Sequence, residues 1–195
     1  MDATVIIATY GDPKWITVAQ ERAIPSTQGQ CVSVLHYHGE SLHQARNFAA
    51  SQVDTEWLCF LDADDELAPG YFEAMDKATG DLRAPAVSWV ENGVATEPRC
   101  LTERNIKNWN PCVVGTLIRK SMFERVEGFW DERAYEDWSL FRRAWLLKAK
   151  IEHVPDAIYI AHVRPESRNS TVIDAATLCQ EIRISHREWM RKKKR

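Results

Sequence analysis

A chain of 195 residues, 45% hydrophobic and 27% charged, has the length and composition of one soluble globular domain with a substantial core. Its net charge of −3 is uneven: residues 187–195, REWMRKKKR, carry six basic side chains against one Glu, a net +5 that leaves −8 on the rest. An acidic body argues against nucleic acid as the main partner, and no apolar run approaches the roughly 18 residues needed to span a bilayer.

The N-terminus has no basic region followed by a long apolar run, so no signal peptide is expected. The five cysteines (Cys31, Cys59, Cys100, Cys112 and Cys179) form no CxxC pair, and their odd number and scatter predict reduced thiols and a cytoplasmic setting. The basic tail reads either as a solvated terminus or as a contact, for an anionic membrane surface, an acidic glycan or an assembly.

The β-branched run Thr4 to Ala8 predicts a first strand. Asp12 and Pro13 then signal a helix start, with Trp15, Val18, Ala19 and Arg22 at helical spacing and Pro25 closing the element. Cys31 to Leu35 reads as the second strand. Ser41 to Gln52 reads as a helix with Leu42, Ala45 and Ala49 on one face, and Arg46 and Asn47 off it. Trp57 to Leu61 is apolar throughout, as in a central strand buried on both faces. Pro69 opens a helix that turns Phe72 and Met75 inward and stops at Gly80.

Pro85, Pro98 and Pro111 punctuate residues 81–112, where the strand signal is weak. Order returns at Val113 to Ile118, followed by a capping-box pattern, Ser121 to Glu124, and a stop at Gly128. Asp137 to Lys148 is a strongly periodic helix, Ile158 to Val163 a last strand, and Asp174 onward a C-terminal helix. The alternation of strands and helices predicts an α/β fold with a mainly parallel central sheet, in which ligands sit at the carboxyl ends of the strands. Two parts are expected: a domain over 1–170, then a C-terminal helix with its basic tail over 171–195.

Four carboxylates, Asp62, Asp64, Asp65 and Glu66, fall at the end of the third strand. Side chains alternate along an extended segment, so Asp62 and Asp64 share a side while Asp65 faces away. Two carboxylates that close raise each other's pKa unless a cation neutralises them, and hard oxygen donors suit Mn2+ or Mg2+. The alternative is a solvated acidic turn at the helix that Pro69 opens. No glycine-rich phosphate loop follows the first strand, which excludes a Walker P-loop and a dinucleotide fingerprint. Leu67 stands where an EF-hand needs Gly. Glu66 stands where a dehalogenase-type phosphatase has Thr or Val.

Taken in order, VIIATYGD at 5–12, ARN at 45–47, FLDADDEL at 60–67, GFWDE at 128–132 and EDWSL at 136–140 resemble family-2 glycosyltransferases of the GT-A fold, over about residues 3–170. The resemblance implies a GT-A-like, nucleotide-binding α/β sandwich. It also implies a metal-dependent, inverting transfer of sugar from a nucleotide-sugar donor, a UDP-sugar by default. The acceptor would be a hydroxyl of a glycan, a protein or a lipid-linked sugar.

By resemblance, Thr9, Tyr10 and Asp12 line the nucleotide pocket, and Arg46 approaches the ribose or diphosphate. Asp62 leans toward the ribose, Asp64 binds the metal, and Asp137 is the catalytic base. After the last strand, His162 would complete the metal site, while Arg164 and Arg168 would meet phosphate charge. One of Trp109, Trp130 and Trp138 would serve as a platform for a sugar face. The chain departs from the family pattern at 36–41, HYHGES, where an Asp that reads the base is usual; His38 or Glu40 stands in that place. That departure keeps open a noncatalytic nucleotide-sugar binder, and Asp62 as a nucleophile keeps open a metal-dependent phosphohydrolase.

Overall fold

A computed structural model describes residues 1–165 and 172–194. Strand β1 (Ala3–Tyr10) lies between β2 (Ser33–Gly39) and β3 (Trp57–Leu61), parallel to both. The sheet continues through β7 (Leu117–Arg119), β5 (Leu82–Glu91) and β8 (Ile151–His162) to the short β4 (Glu66–Leu67), with β6 (Val94–Ala95) pairing β5 off that path. The long ladders, β1 with β2, β1 with β3 and β5 with β8, are parallel; those made by β4, β6 and β7 are short and antiparallel. The sheet is thus mainly parallel, as the alternating pattern predicts. β3 is buried along its whole length because it is paired on both edges and covered on both faces.

The first helix is longer than its sequence suggests. It runs as α1 (Lys14–Val18), a π-helical turn over Ala19–Ala23, and α2 (Ile24–Ser26), so Pro25 lies inside it rather than closing it. In an α-helix the proline ring would strike the carbonyl of Glu21, and the widened turn around Glu21 relieves that contact. Helix α3 (Leu42–Ser51) packs on β1 and β2, and α4 (Tyr71–Asp76) on β8. The second strand begins at Ser33 rather than Cys31, whose φ of 53° takes it out of extended geometry.

The largest departure is β5, ten residues long in the region of weak signal. Pro85 is tolerated there because the ladder with β8 shifts register between Pro85 and Ala86, so residues 155–157 bulge and no hydrogen bond is demanded of the proline. The same pairing extends β8 back to Ile151, well before the expected start.

Helix α5 (Lys120–Arg125) leaves β7 without a loop, with Arg119 at its N-cap position and no side-chain cap. The Ser121–Glu124 capping box therefore does not form, because Ser121 is already inside the helix. Helix α6 (Glu136–Leu146) follows Tyr135, which is in the left-handed region, and α7 (Ala175–Lys193) is capped by Asp174 accepting from the Thr177 amide at 2.9 Å. The basic tail is thus mostly helical through Lys193, with Trp189 only 6% exposed. All five cysteines are free.

Candidate functional site

The sequence motifs converge on one buried cation. Arg46, on α3, is 2% exposed; its Nη2 donates to Asp62 Oδ1 at 2.6 Å and its Nη1 to Glu136 Oε1 at 2.9 Å. Burial pulls its pKa down, but Asp62 and Glu136 outweigh that and hold it above the ordinary arginine value. The neighbouring Asn47 clamps the 128–132 segment: Nδ2 donates to the Phe129 carbonyl and Oδ1 accepts the Phe129 amide, both at 2.8 Å. Arg143 on α6 donates to the carbonyls of Val126 and Gly128 from below. The Arg-Asn pair, the GFWDE segment and the Glu-Asp pair thus meet through hydrogen bonds.

Asp62 lies just beyond β3, where the strand's carboxyl end opens. Asp64, two residues on, has its Oδ2 at 2.7 Å from Arg164 Nε, while its backbone carbonyl accepts from Arg22 Nη1 at 2.9 Å. The Arg164 guanidinium lies 4.5 Å from the centre of the Trp15 ring. Asp65 faces away into the protein, but a turn rather than strand alternation takes it there: its amide donates to the Asp62 carbonyl at 3.1 Å. It accepts from the Tyr159 hydroxyl at 2.7 Å and from the His162 amide at 2.8 Å. Burial first, then the charges of Asp62 and Asp64, push the Asp65 carboxyl well above its usual range.

Asp137 stands in the first turn of α6. Its Oδ1 accepts the Trp138 amide at 2.7 Å and its Oδ2 accepts Asn110 Nδ2 at 2.8 Å. Desolvation and the neighbouring Glu136 carboxylate push its pKa up to about 7, against the amide of Trp138 and the charge of Arg46. The helix N-terminus by itself favours the ionised form, and burial outweighs it. A carboxylate with a pKa near 7 is well matched to taking a proton at neutral pH.

Thr9 is buried at the end of β1 and its hydroxyl lies 3.0 Å from both His36 Nε2 and His38 Nδ1. The two histidines alternate along β2 and so share one face, an i, i+2 signal that the sequence carries but that pointed only to His38. Asp12 is exposed and accepts the Lys14 amide at 2.9 Å; Tyr10 ends β1, half-buried. Among the tryptophans, Trp138 is 2% exposed and donates to the Ile106 carbonyl, and Trp130 packs edge-on against His186 and Trp189. Trp109, 66% exposed, is the one of the three open to solvent. Glu136 and Asn110 join the site only through the fold. Their roles depend on contacts with residues far away in sequence. Arg168 lies outside the described residues.

Among the described residues no group of three His, Cys, Asp or Glu side chains gathers as a metal centre. His162 Nε2 lies 2.7 Å from Glu66 Oε1. A magnesium or manganese ion that takes most of its ligands from water and substrate phosphates needs only one or two protein carboxylates. The oxygen donors of Asp62 and Asp64 fit that requirement, whereas the His162 ring is paired with Glu66 and is not gathered with them.

The model of the family described as glycosyl transferase family 2 matches residues 5–146. No curated protein matches the chain. Among solved structures it is similar to S. aureus TarS 1-349 in complex with UDP-GlcNAc, with a TM-score of 0.63 and 18% identity over 93% of this chain and 65% of that one. TarS 1-349 in complex with UDP gives a TM-score of 0.57 and 18% identity, over 95% of this chain and 70% of that one. TarS itself gives 0.57 and 20%, over 85% and 37%. The chain therefore spans 65% of the first of these TarS chains, and at such identity the likeness is one of fold. The matched region runs from within β1 to the end of α6 and encloses Arg46, Asp62, Asp64 and Asp137, and the chain belongs to glycosyl transferase family 2.

Proposed function

We propose that the chain transfers a sugar from a nucleoside-diphosphate donor, a UDP-sugar by default, to an acceptor hydroxyl with inversion at the anomeric carbon. The observation that carries this reading is Asp137: a carboxylate raised to about 7, held at a helix N-terminus beside the Arg46–Asp62–Glu136 cluster. The acceptor hydroxyl gives its proton to Asp137 as its oxygen bonds the anomeric carbon. The bond from that carbon to the diphosphate breaks, and the electron pair leaves with the diphosphate. One base and no covalent intermediate suffice for inversion.

Arg46 holds Asp62 in place, and the exposed edge of Asp62 would meet the ribose. Asp64 would hold a manganese or magnesium ion together with diphosphate oxygens, an ion that when bound neutralises the leaving group. Arg164 would exchange its contact with Asp64 for phosphate charge as the donor enters, and Arg168 would add to it. Trp109 is the tryptophan available as a platform for an acceptor sugar, in a glycan, a glycoprotein or a lipid-linked chain. The family bond favours transfer over phosphohydrolysis, and Asp62, paired to a buried arginine, is poorly placed as a nucleophile. A noncatalytic nucleotide-sugar binder is the second reading, favoured by the HYHGES segment.

Thermal unfolding with UDP, GDP and dTDP, each with and without manganese, tests the donor site, because a ligand bound by the folded state raises the midpoint. A manganese-dependent rise with one nucleotide, lost in Asp64→Ala, is expected. The absence of a shift with all three in folded protein would remove the donor site. Asp137→Asn separates the two readings: donor binding kept with turnover lost supports the enzyme, and turnover kept excludes Asp137 as base.

A further inference from the structure

The loop before β7 is tied to α6 at two points. The Trp138 indole donates to the Ile106 carbonyl at 2.9 Å, and Asn110 Nδ2 donates to Asp137 Oδ2 at 2.8 Å. Which way the Asn110 amide faces is settled by its other end: Oδ1 accepts the Cys112 amide at 3.1 Å, so the NH2 group must be the one directed at the carboxylate. The loop is itself braced, with Arg104 Nη1 donating to the Asn110 carbonyl at 3.3 Å and the Trp109 amide to the Asn105 carbonyl at 2.8 Å.

We infer that Asn110 is a positioning residue for the Asp137 carboxylate, holding one of its oxygens and thereby the orientation in which it meets an acceptor hydroxyl. The inference rests on the proposed role of Asp137 as base. The carboxylate has two anchors of different kinds. The Trp138 amide comes from its own helix and would be present in any carboxylate at this position. Asn110 comes from 27 residues away and exists only because the loop folds back. With both held, the side chain cannot rotate about its terminal bond, and each oxygen keeps a second lone pair for the incoming proton.

The charged and titratable groups around Asp137 are Glu136 on its own helix, Arg46 on α3, Asp62 beyond β3 and Cys112 in the loop. Glu136 and Asp62 favour the protonated form and Arg46 the ionised one. Asn110 donates to the ionised form. Removing that donor must raise the pKa, whereas a residue that only braced the loop would leave it unmoved.

The test is a carbon-13 carboxyl NMR titration of the full chain, with the Asp137 signal assigned by its loss in Asp137→Asn. Asn110→Ala removes both hydrogen bonds of the amide and is the variant that decides; Asn110→Asp keeps the acceptor for the Cys112 amide but exchanges the donor for a second carboxylate beside Asp137. An upward shift of the Asp137 midpoint by about one pH unit is expected in Asn110→Ala, and a larger one in Asn110→Asp. The acidic limb of UDP release from UDP-GlcNAc should move with it, with donor KM held. An unmoved midpoint in folded Asn110→Ala overturns the inference, whatever the activity. A shifted midpoint with full UDP release in Asp137→Asn would instead overturn the reading of Asp137 as base, and Asn110's part in catalysis with it.

Discussion

Asp137, the proposed base, also carries a stability cost. Its folded pKa, near 7, lies above its ordinary value of 3.8, so between those limits the folded protein binds a proton that the unfolded chain releases. Stability from this group is therefore present below about pH 4 and is lost as pH rises toward about 7. Urea unfolding of wild type and Asp137→Asn across pH 4–8 should show the wild type falling relative to the variant, by on the order of 2–4 kcal/mol in total, and no further above pH 7. Parallel curves would show that the carboxylate is not raised. Transfer activity should rise over the same interval as the base ionises.

The motifs act through the elements they stitch together. Asn47 on α3 holds the backbone of Phe129 at both ends, and the Phe129 ring in turn lies 4.7 Å from the Arg46 guanidinium carbon. Asn47→Ala leaves a half-buried carbonyl and amide without partners, and a loss of about 2 kcal/mol is expected from denaturant unfolding, with donor affinity falling as Arg46 loosens. A loss below about 0.5 kcal/mol would mean that the segment's other contacts, from Arg143 and Ser139, suffice to hold it.

The strands show why sequence signals fail in particular places. β3 is legible because both edges and both faces are covered, which demands an unbroken apolar run. β5 is not, because Arg83 and Pro85 belong in it only once β8 supplies a matching bulge and Met75 a carbonyl for Arg83 Nη1 at 2.7 Å. The capping box at Ser121 is a true local pattern overruled by a strand that runs straight into the helix.

At the scale of the molecule, the C-terminal helix is part of the body. His186 is fully buried, with Nδ1 at 2.8 Å from Arg142 Nη1 and Nε2 at 3.0 Å from Ser139 Oγ; burial and the two arginines push its pKa down to about 3, so the ring is neutral. Ser139 donates onward to Glu132, the last residue of the GFWDE segment. Truncation before Arg187 removes Trp189 and should cost about 3 kcal/mol in unfolding free energy. Replacing the exposed Arg187, Arg191 and Lys192 by Gln should cost under about 0.5 kcal/mol while abolishing association with anionic vesicles, if the tail is the proposed surface contact. Vesicle association unchanged by those replacements would rule that contact out. Among the described residues no helix is long and apolar enough to cross a membrane.

The sequence by itself determined the α/β class and the central strands β1 and β3, and it marked Asp62, Asp64 and Asp137 as the carboxylates of the site proposed here. Those features are written locally: strand burial in continuous apolar runs, helix faces in spacing, charge clusters in adjacent residues. Only the tertiary structure decided that Arg46 serves two carboxylates, that His162 pairs with Glu66 rather than with Asp64, and that Asn110 holds the proposed base. Each of those pairings joins residues separated by 16 to 96 positions, and long-range partners leave no periodicity for a sequence to show.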